Sequence, residues 1–203
     1  MTPALRKVAL TAHVITSVAW VGAVVVFLAQ AALALTSQDD LMVRGVYVVM
    51  EEAAWFALVP LALASLVTGI VMSLGTPWGL LRHYWVVVKL GITAFSTAIL
   101  LVYMGTFRQM ADLAADSTVG LELVRNPSPM LHAILALPLL CGATALGVYK
   151  PWGMTPYGRR HQGDVLRSTR ATLPWMYVSC VVAICIVVVL VVLHLMGRGL
   201  GGH

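Results

Sequence analysis

The sequence predicts an all-α fold, a polytopic transmembrane helical bundle of about five spans that forms a single transmembrane domain over residues 1–203. Three observations support this prediction. Five long apolar stretches cover most of the chain, 60% of the residues are hydrophobic, and only 10% are charged. A soluble domain usually carries about 25% charged residues, so this chain has too few polar side chains to coat a water-soluble globule. The basic residues also fall almost entirely into alternate gaps between the apolar stretches.

Each apolar stretch is long enough to cross a bilayer as a helix. A hydrocarbon core about 30 Å thick needs about 20 mostly apolar residues. Pro60 and Pro138 interrupt two of the stretches, and proline within a membrane helix predicts a kink. In order along the chain, the predicted spans cover about residues 8–35, 53–74, 84–104, 130–149 and 175–196.

The distribution of cations predicts the orientation of the bundle. The N-terminal segment, the gap between spans two and three with the first turn of span three, and the gap between spans four and five carry nine cations. The other side carries four. Because Lys and Arg are enriched in cytoplasmic loops, the N-terminus is predicted to be cytoplasmic and the C-terminus outside. The nine are Arg6, Lys7, Arg82, Lys89, Lys150, Arg159, Arg160, Arg167 and Arg170, and the four are Arg44, Arg108, Arg125 and Arg198.

Two of the connections have a predicted structure of their own. The segment from Met110 to Val124 has helix-forming residues and is predicted to form a short helix on the outer membrane surface. The basic inner stretch from Lys150 to Thr172 is predicted to be a loop followed by an interfacial helical turn. Because the net charge of +5 is concentrated beside membrane spans, it is explained by orientation, and no nucleic-acid partner is predicted.

Ionisable residues inside membrane spans are costly, and each one indicates a functional site by default. At about 1.5 Å per residue, His13 and Lys89 share a level, since each lies five residues from the inner end of its span. His132 and His194 share a second level, two residues from the outer ends of their spans. His13 and His132 are therefore too far apart in depth to bind one iron atom.

The inner set suggests haem b. A haem between the helices of a bundle needs an inward-facing imidazole, small residues that admit the ring, and cations near its propionates. His13 is the candidate iron ligand, with Trp20 on the same helical face. Lys89 and Arg82 are candidate propionate contacts, and His83 lies nearer the headgroups on the same side. The simpler interpretation is also open: such a histidine often bonds a carbonyl, and Lys89 can extend to the headgroups.

The outer set allows two other interpretations. His132 and His194 are candidates for a second, bis-histidine metal site. Thioether and imidazole side chains also suit copper, so a copper-handling protein is an alternative. A non-catalytic membrane subunit or scaffold with structural histidines is a further alternative. The residues that the copper hypothesis would use are Met50, Glu51, Met104, Met130, His132, His194 and Met196.

No motif in the sequence predicts a reaction class. The serines in the spans have no adjacent His and acid, and neither a glycine-rich phosphate loop nor a His-Glu-x-x-His motif is present. Cys141, Cys180 and Cys185 show no CxxC spacing and are interpreted as small apolar residues.

Three segments carry a family resemblance: Ala12–His13 with Val18–Gly22, Trp78–Leu90, and Lys150–Arg160. They resemble a family of small, uncharacterised bacterial membrane proteins of the actinobacterial type. More remotely, a first-span His followed by Trp-x-Gly, and the later Trp-x-x-x-Lys, resemble a wider group that includes the copper-resistance D proteins and the HemJ-type protoporphyrinogen oxidases. In the latter a first-span His and a later Lys matter, which implies His13 and Lys89 here.

Together these observations predict a b-type haem protein of the bacterial cytoplasmic (inner) membrane, with a role in electron transfer or redox chemistry. Its expected partners are the lipid bilayer, a redox partner protein or a quinone, and further copies of the same chain in a homo-oligomer.

Overall fold

The computed structural model of the protein describes residues 2–76, 78–151 and 153–160, and this part of the chain is helical, as predicted. A π-helical turn, Ala54–Leu58, joins the second and third helices into one rod. The helices are α1 (Pro3–Thr36), α2 (Asp40–Ala53), α3 (Val59–Gly75), α4 (Tyr84–Ala115), α5 (Leu121–Val124), α6 (Ser128–Tyr149) and α7 (Pro156–Arg160).

Four rods in the described part of the chain are long and apolar enough to cross a membrane. They contain the first four predicted spans. The prediction of apolar helices that are long enough to cross a membrane is therefore confirmed. The fifth predicted span, 175–196, lies outside the described residues. The four rods are Pro3–Thr36, Asp40–Gly75, Tyr84–Ala115 and Leu121–Tyr149.

The rods form a four-helix bundle in which each rod packs against the next one in the chain and the fourth returns to the first. The first rod, α1, contacts α3 and α6, and α4 contacts α2, α3 and α6. Because the connections are short, consecutive rods lie side by side and run in opposite directions. Large side chains from α1 and α4 meet in the centre, where the rings of Phe27 and Phe107 lie 5.6 Å apart, edge to face.

The π-helical turn lies directly before a proline. Val59 donates its N–H to the carbonyl of Ala54, five residues back, and the next residue, Pro60, has no N–H to donate. A proline within a helix removes one backbone hydrogen bond and crowds the preceding turn, and a single wide turn is a common way to absorb such an interruption. The sequence predicted a kink here, and the structure shows this local change in helical pitch.

Alternate connections lie at the same end of the bundle, as the charge pattern predicted. We call the end formed by the start of α1, residues 76–83 and residues 150–160 the basic end. We call the end formed by residues 37–39 and 116–127 the acidic end, because every described Asp and Glu lies toward it. Which end faces the cytoplasm stays a prediction.

The second and third rods extend by three or more turns beyond the predicted spans toward the acidic end. The rod that contains span 53–74 begins at Asp40, and the rod that contains span 84–104 continues to Ala115. A bilayer core needs only about 20 residues, and the extra turns carry charged residues that a search for apolar stretches leaves out. The surface helix predicted from Met110 to Val124 is therefore wrong: its first part belongs to α4, and only Leu121–Val124 forms a separate helix.

At the acidic end, Arg44 holds the connection that follows α4. Its guanidinium donates to the carbonyls of Asp116 at 2.8 Å and Val119 at 2.6 Å, and it pairs with Asp40 at 3.1 Å. Thr118 donates its hydroxyl and N–H to the Asp116 carboxylate, and these bonds lower the pKa of that carboxyl. Cations stabilise carbonyls near helix C-termini, so Arg44 here is a structural residue.

Arg125 binds backbone carbonyls at the C-terminus of α1. It donates to the carbonyls of Leu35 at 2.9 Å and Ser37, while the Tyr47 hydroxyl accepts from the N–H of Asn126 at 2.8 Å. Two of the cations that the charge count placed on the outer side, Arg44 and Arg125, are thus bonded to backbone carbonyls.

At the basic end, residues 154–158 are tied to the connection between α3 and α4. Thr155 donates its N–H to the carbonyl of Arg82 at 2.9 Å and its hydroxyl to that of Leu81 at 2.6 Å. The same hydroxyl accepts from the N–H of Gly158 at 3.0 Å. Close backbone approach is possible only because Gly158 has no side chain: a β-carbon there would overlap the Arg82 carbonyl oxygen.

We therefore expect Gly158→Ala to separate residues 154–158 from the connection between α3 and α4. The added methyl group meets rigid backbone, so the cost should be about 1–3 kcal/mol, the range for forced overpacking. Thermal unfolding of the purified protein in detergent measures it. Gly153→Ala is the matched control, because a β-carbon at Gly153 meets nothing within 4 Å. Equal stability of the two variants would contradict this packing.

Candidate functional site

A pocket of about 370 Å³ lies inside the basic end of the bundle, between α1, α3, α4 and α6. Its volume falls within the range of about 300–1,000 Å³ that is usual for small-molecule sites. The walls are mostly apolar, with His13 and Lys89 deeper in the bundle and Arg6 and Lys150 nearer its basic end. The apolar lining includes Leu10, Leu66, Met72, Trp85, Val86 and Leu90.

His13 and Lys89 meet at the deep level, although they lie on α1 and α4. The Nζ of Lys89 is 3.1 Å from the Nε2 of His13, and the Nδ1 of His13 is 3.0 Å from the Oγ1 of Thr68. An ammonium can only donate, so Nε2 accepts and Nδ1 carries the proton. The Thr68 hydroxyl accepts a hydrogen bond from this Nδ1–H and donates one to the Ala64 carbonyl oxygen, 2.6 Å away. The chain of bonds fixes the orientation and the tautomer of His13.

Two glycines make room for this pair. A β-carbon on Gly69 of α3 would lie 3.1 Å from Cε1 of His13, and one on Gly147 of α6 would lie 3.0 Å from Nζ of Lys89. Both distances are shorter than ordinary van der Waals contact. All four rods therefore meet at the pair: α1 and α4 contribute His13 and Lys89, α3 contributes Thr68 and Gly69, and α6 contributes Gly147.

The charged lining of the pocket is entirely cationic. Arg6 and Lys150 lie near the open end, and Lys89 lies deeper. Lys150 also places its Nζ 5.1 Å from the centre of the Trp78 ring. In the described ranges, the one salt bridge is made by Arg44 at the other end of the bundle, so none of the three pocket cations is paired with a carboxylate there. An anionic group of a ligand would find three unneutralised partners.

Hydrogen bonds between α1 and α3 support the wall beside His13. The hydroxyls of Ser17 and Ser65 are 2.9 Å apart, and that of Thr16 donates to its own helix at the carbonyl of Ala12, 2.9 Å away. Small hydroxyl residues let membrane helices approach closely. These residues therefore pack α1 closely against α3.

The structure brings together only part of the predicted haem set. His13 and Lys89 share a level, as predicted, and are in contact. Trp20 is buried in the apolar core, Arg82 is exposed, and neither lines the pocket. His83 is buried, with its Nδ1 2.8 Å from the carbonyl of Trp78 and its ring packed edge to face on the Trp78 ring. His83 thus anchors the connection between α3 and α4.

The outer histidine occupies a different environment. The Nδ1 of His132 lies 2.9 Å from the Ser128 carbonyl, and its ring stacks on Tyr103 with centroids 4.0 Å apart. The Tyr103 hydroxyl donates to the Ser128 hydroxyl at 2.8 Å. The Nε2 of His132 is buried without a partner among the described residues. His194, its predicted partner, lies outside the described residues.

The residues of the copper hypothesis do not form a cluster of strong ligands in the described ranges. Met50 and Met104 are buried in the apolar core, with Met130 packed against it, where a thioether acts as an apolar filler. Within the same ranges, no group of three or more His, Cys, Asp or Glu side chains is placed to hold a metal ion. Met196 lies outside the described residues.

Sequence reasoning missed the support around His13. Thr68 was not among the predicted site residues, while Gly69 and Gly147 had no signal that separates them from the other glycines. Arg6 and Lys150 were counted for orientation and not for binding. Their position near the inner ends of the spans was available in the sequence, but the direction in which each side chain points was not.

Comparisons with protein-family models, with curated proteins and with solved structures find no match to this chain. The resemblance described above therefore stays a prediction, and the function is inferred from the site.

Proposed function

We propose that the pocket at the basic end holds haem b, with His13 as an iron ligand. The observation that supports this most is the state of the His13 ring. Its Nδ1–H is fixed by Thr68, and its Nε2, the atom that would bind iron, faces Lys89 within the pocket. A histidine that ligates a metal almost always donates its other N–H to an acceptor, which sets the tautomer and the ring orientation.

The surrounding residues fit a flat, largely apolar ligand with acidic groups at one edge. Most of the lining is apolar, and Gly69 and Gly147 also line the pocket, where their lack of a side chain lets α3 and α6 lie against the pair. Arg6 and Lys150 lie near the open end. Arg6 is seven residues before His13, about 10 Å along the helix, so propionates at the open end and iron at His13 are compatible. Arg6 and Lys150 would therefore bind the propionates in place of Arg82.

Bound haem would supply one-electron chemistry, and the protein would set its ligand, its burial and its solvent access. The sequence contains no nucleophile–base motif, so electron transfer is the proposed role. The resemblance to the HemJ-type protoporphyrinogen oxidases, which are haem-binding, implies the same two residues, His13 and Lys89. We propose further that the protein lies in a bacterial cytoplasmic membrane with the basic end toward the cytoplasm, has a fifth span, forms homo-oligomers, and exchanges electrons with a quinone or a redox protein.

Titration of the purified protein with hemin tests this proposal. We expect a Soret band that saturates at one hemin per chain. The double variant Arg6→Gln/Lys150→Gln should bind hemin about tenfold more weakly, since two exposed ion pairs contribute up to about 1 kcal/mol each. Lys7→Gln is the control, because Lys7 does not line the pocket. Absorption that rises linearly without saturation would overturn the proposal.

A further inference from the structure

We propose that Arg82 and Arg159 form a binding site for the headgroup of an anionic phospholipid at the basic end of the bundle. The site lies on the surface, where the connection between α3 and α4 meets residues 154–159. Neither arginine lines the pocket, so this inference is independent of the haem proposal.

Backbone contacts bring the two arginines onto one surface, although they are far apart in the sequence. Thr155 donates its N–H to the carbonyl of Arg82 at 2.9 Å, and Arg159 donates its N–H to the carbonyl of Thr155 at 3.0 Å. Gly158 lies so close to Arg82 that a β-carbon would overlap the Arg82 carbonyl. The two side chains therefore start from neighbouring parts of the backbone.

Each arginine is held at one point and keeps most of its N–H groups for a ligand. The aliphatic part of Arg82 packs on Gly79, where a β-carbon would lie 2.8 Å from Cδ of Arg82. Gly79 has a φ of 60°, a conformation that favours glycine. Arg159 donates from one Nη to the Met154 carbonyl at 2.9 Å. A guanidinium carries five N–H donors in a fork that matches two oxygens of a phosphate.

The two arginines have no counter-charge among the residues that the structure describes. Both are exposed, and the described carboxylates lie toward the other end of the bundle. The salt bridge in these ranges belongs to Arg44, also at the other end. Neighbouring cations repel each other and raise the local concentration of anions. One phosphate group bound by both arginines would remove the repulsion.

The position of the site favours a lipid over free phosphate. Arg82 lies between the second and third apolar rods and Arg159 follows the fourth, so both lie at the level of the headgroups. Leu81 is 52% exposed and Tyr157 is 50% exposed. Aromatic side chains at this level contact the interfacial part of lipids, and basic residues attract anionic lipids. A free phosphate would use the arginines but not these two neighbours.

Titration of delipidated protein in detergent with dioleoylphosphatidylglycerol tests the site, with bound lipid counted by native mass spectrometry. We expect one tightly bound lipid per chain and much weaker binding of dioleoylphosphatidylcholine, which has the same acyl chains and no net charge. Arg82→Gln/Arg159→Gln should bind phosphatidylglycerol about 25-fold more weakly, at about fivefold per arginine. Lys7→Gln/Arg108→Gln removes two other exposed cations and should bind as the wild type does.

Three results would overturn the proposal. They are equal affinity of the wild type for the two lipids, equal weakening by the two double variants, and displacement of the lipid by excess inorganic phosphate, which would identify a site for free phosphate. The first comparison uses no substitution, so it decides the matter even if a variant fails to fold. Hemin binding should be unchanged in Arg82→Gln/Arg159→Gln, so failure of the lipid site and failure of the haem site are distinguishable.

Gly158→Ala provides a test that keeps both arginines. If the site needs the two segments together, this variant should lose most of its preference for phosphatidylglycerol, because the added methyl group separates them. Gly153→Ala, where a β-carbon meets nothing within 4 Å, should keep the preference. The same lipid preference in both glycine variants would show that general positive charge, and not a site built from two segments, attracts the lipid.

Discussion

Replacement of His13 by glycine should abolish the Soret band of the hemin-loaded protein. The iron would lose the imidazole nitrogen that holds it, and the apolar pocket offers no other imidazole among its lining residues. Imidazole added to His13→Gly should restore the band, because the small ligand can enter the space that the side chain leaves. Absorption spectra before and after the addition of imidazole measure both effects.

His132→Ala is the matched control for this experiment. His132 lies at the other end of the bundle, so its removal should leave the spectrum unchanged. If the band instead disappears in His132→Ala and persists in His13→Gly, the haem lies at the acidic end. Both variants lose hydrogen bonds at the replaced ring, at a cost of about 1–3 kcal/mol for a buried partner left unpaired. Thermal unfolding should therefore accompany each spectrum.

A leucine in place of Gly69 should have the second-largest effect. Even a β-carbon at this position would lie 3.1 Å from the His13 ring, and the rest of a leucine would occupy the space beside it. We expect hemin binding to be lost while the helices remain, since leucine favours helix over glycine. Hemin titration and circular dichroism measure the two properties separately.

Gly91→Leu is the control for this substitution. Gly91 is on α4, where a β-carbon would meet nothing within 4 Å, so hemin binding should persist. The two variants gain the same side chain in the same kind of helix. If both bind hemin as the wild type does, the space beside His13 is not the haem site.

Depth within the bilayer was predictable from the sequence, because a helix rises by a nearly fixed amount per residue. That arithmetic placed His13 and Lys89 at one level, and the structure brings them into contact. It also separated His13 from His132. Rotation about the helix axis was not predictable from depth. Arg82 and Trp20 were therefore assigned to the haem site, yet the structure directs the first outward and the second into the core.

The hydrogen-bond partners of the charged residues could not be predicted from the sequence either. Arg44 and Arg125 counted as two ordinary cations, but both bind carbonyls at helix ends. Their bonds depend on how the connections fold back, which no local pattern records. The rods were also longer than predicted for a physical reason: apolarity marks the part of a helix that lipid can cover, while the helix itself continues through the charged turns from Asp40 to Ala53.

The most direct test of the central claim is the absorption spectrum of the detergent-purified protein, oxidised and then reduced with dithionite, after expression with ample haem supply. We predict a Soret band at a stoichiometry of one haem per chain, with α and β bands that sharpen on reduction. A colourless protein that also fails to bind added hemin would contradict a haem site at His13.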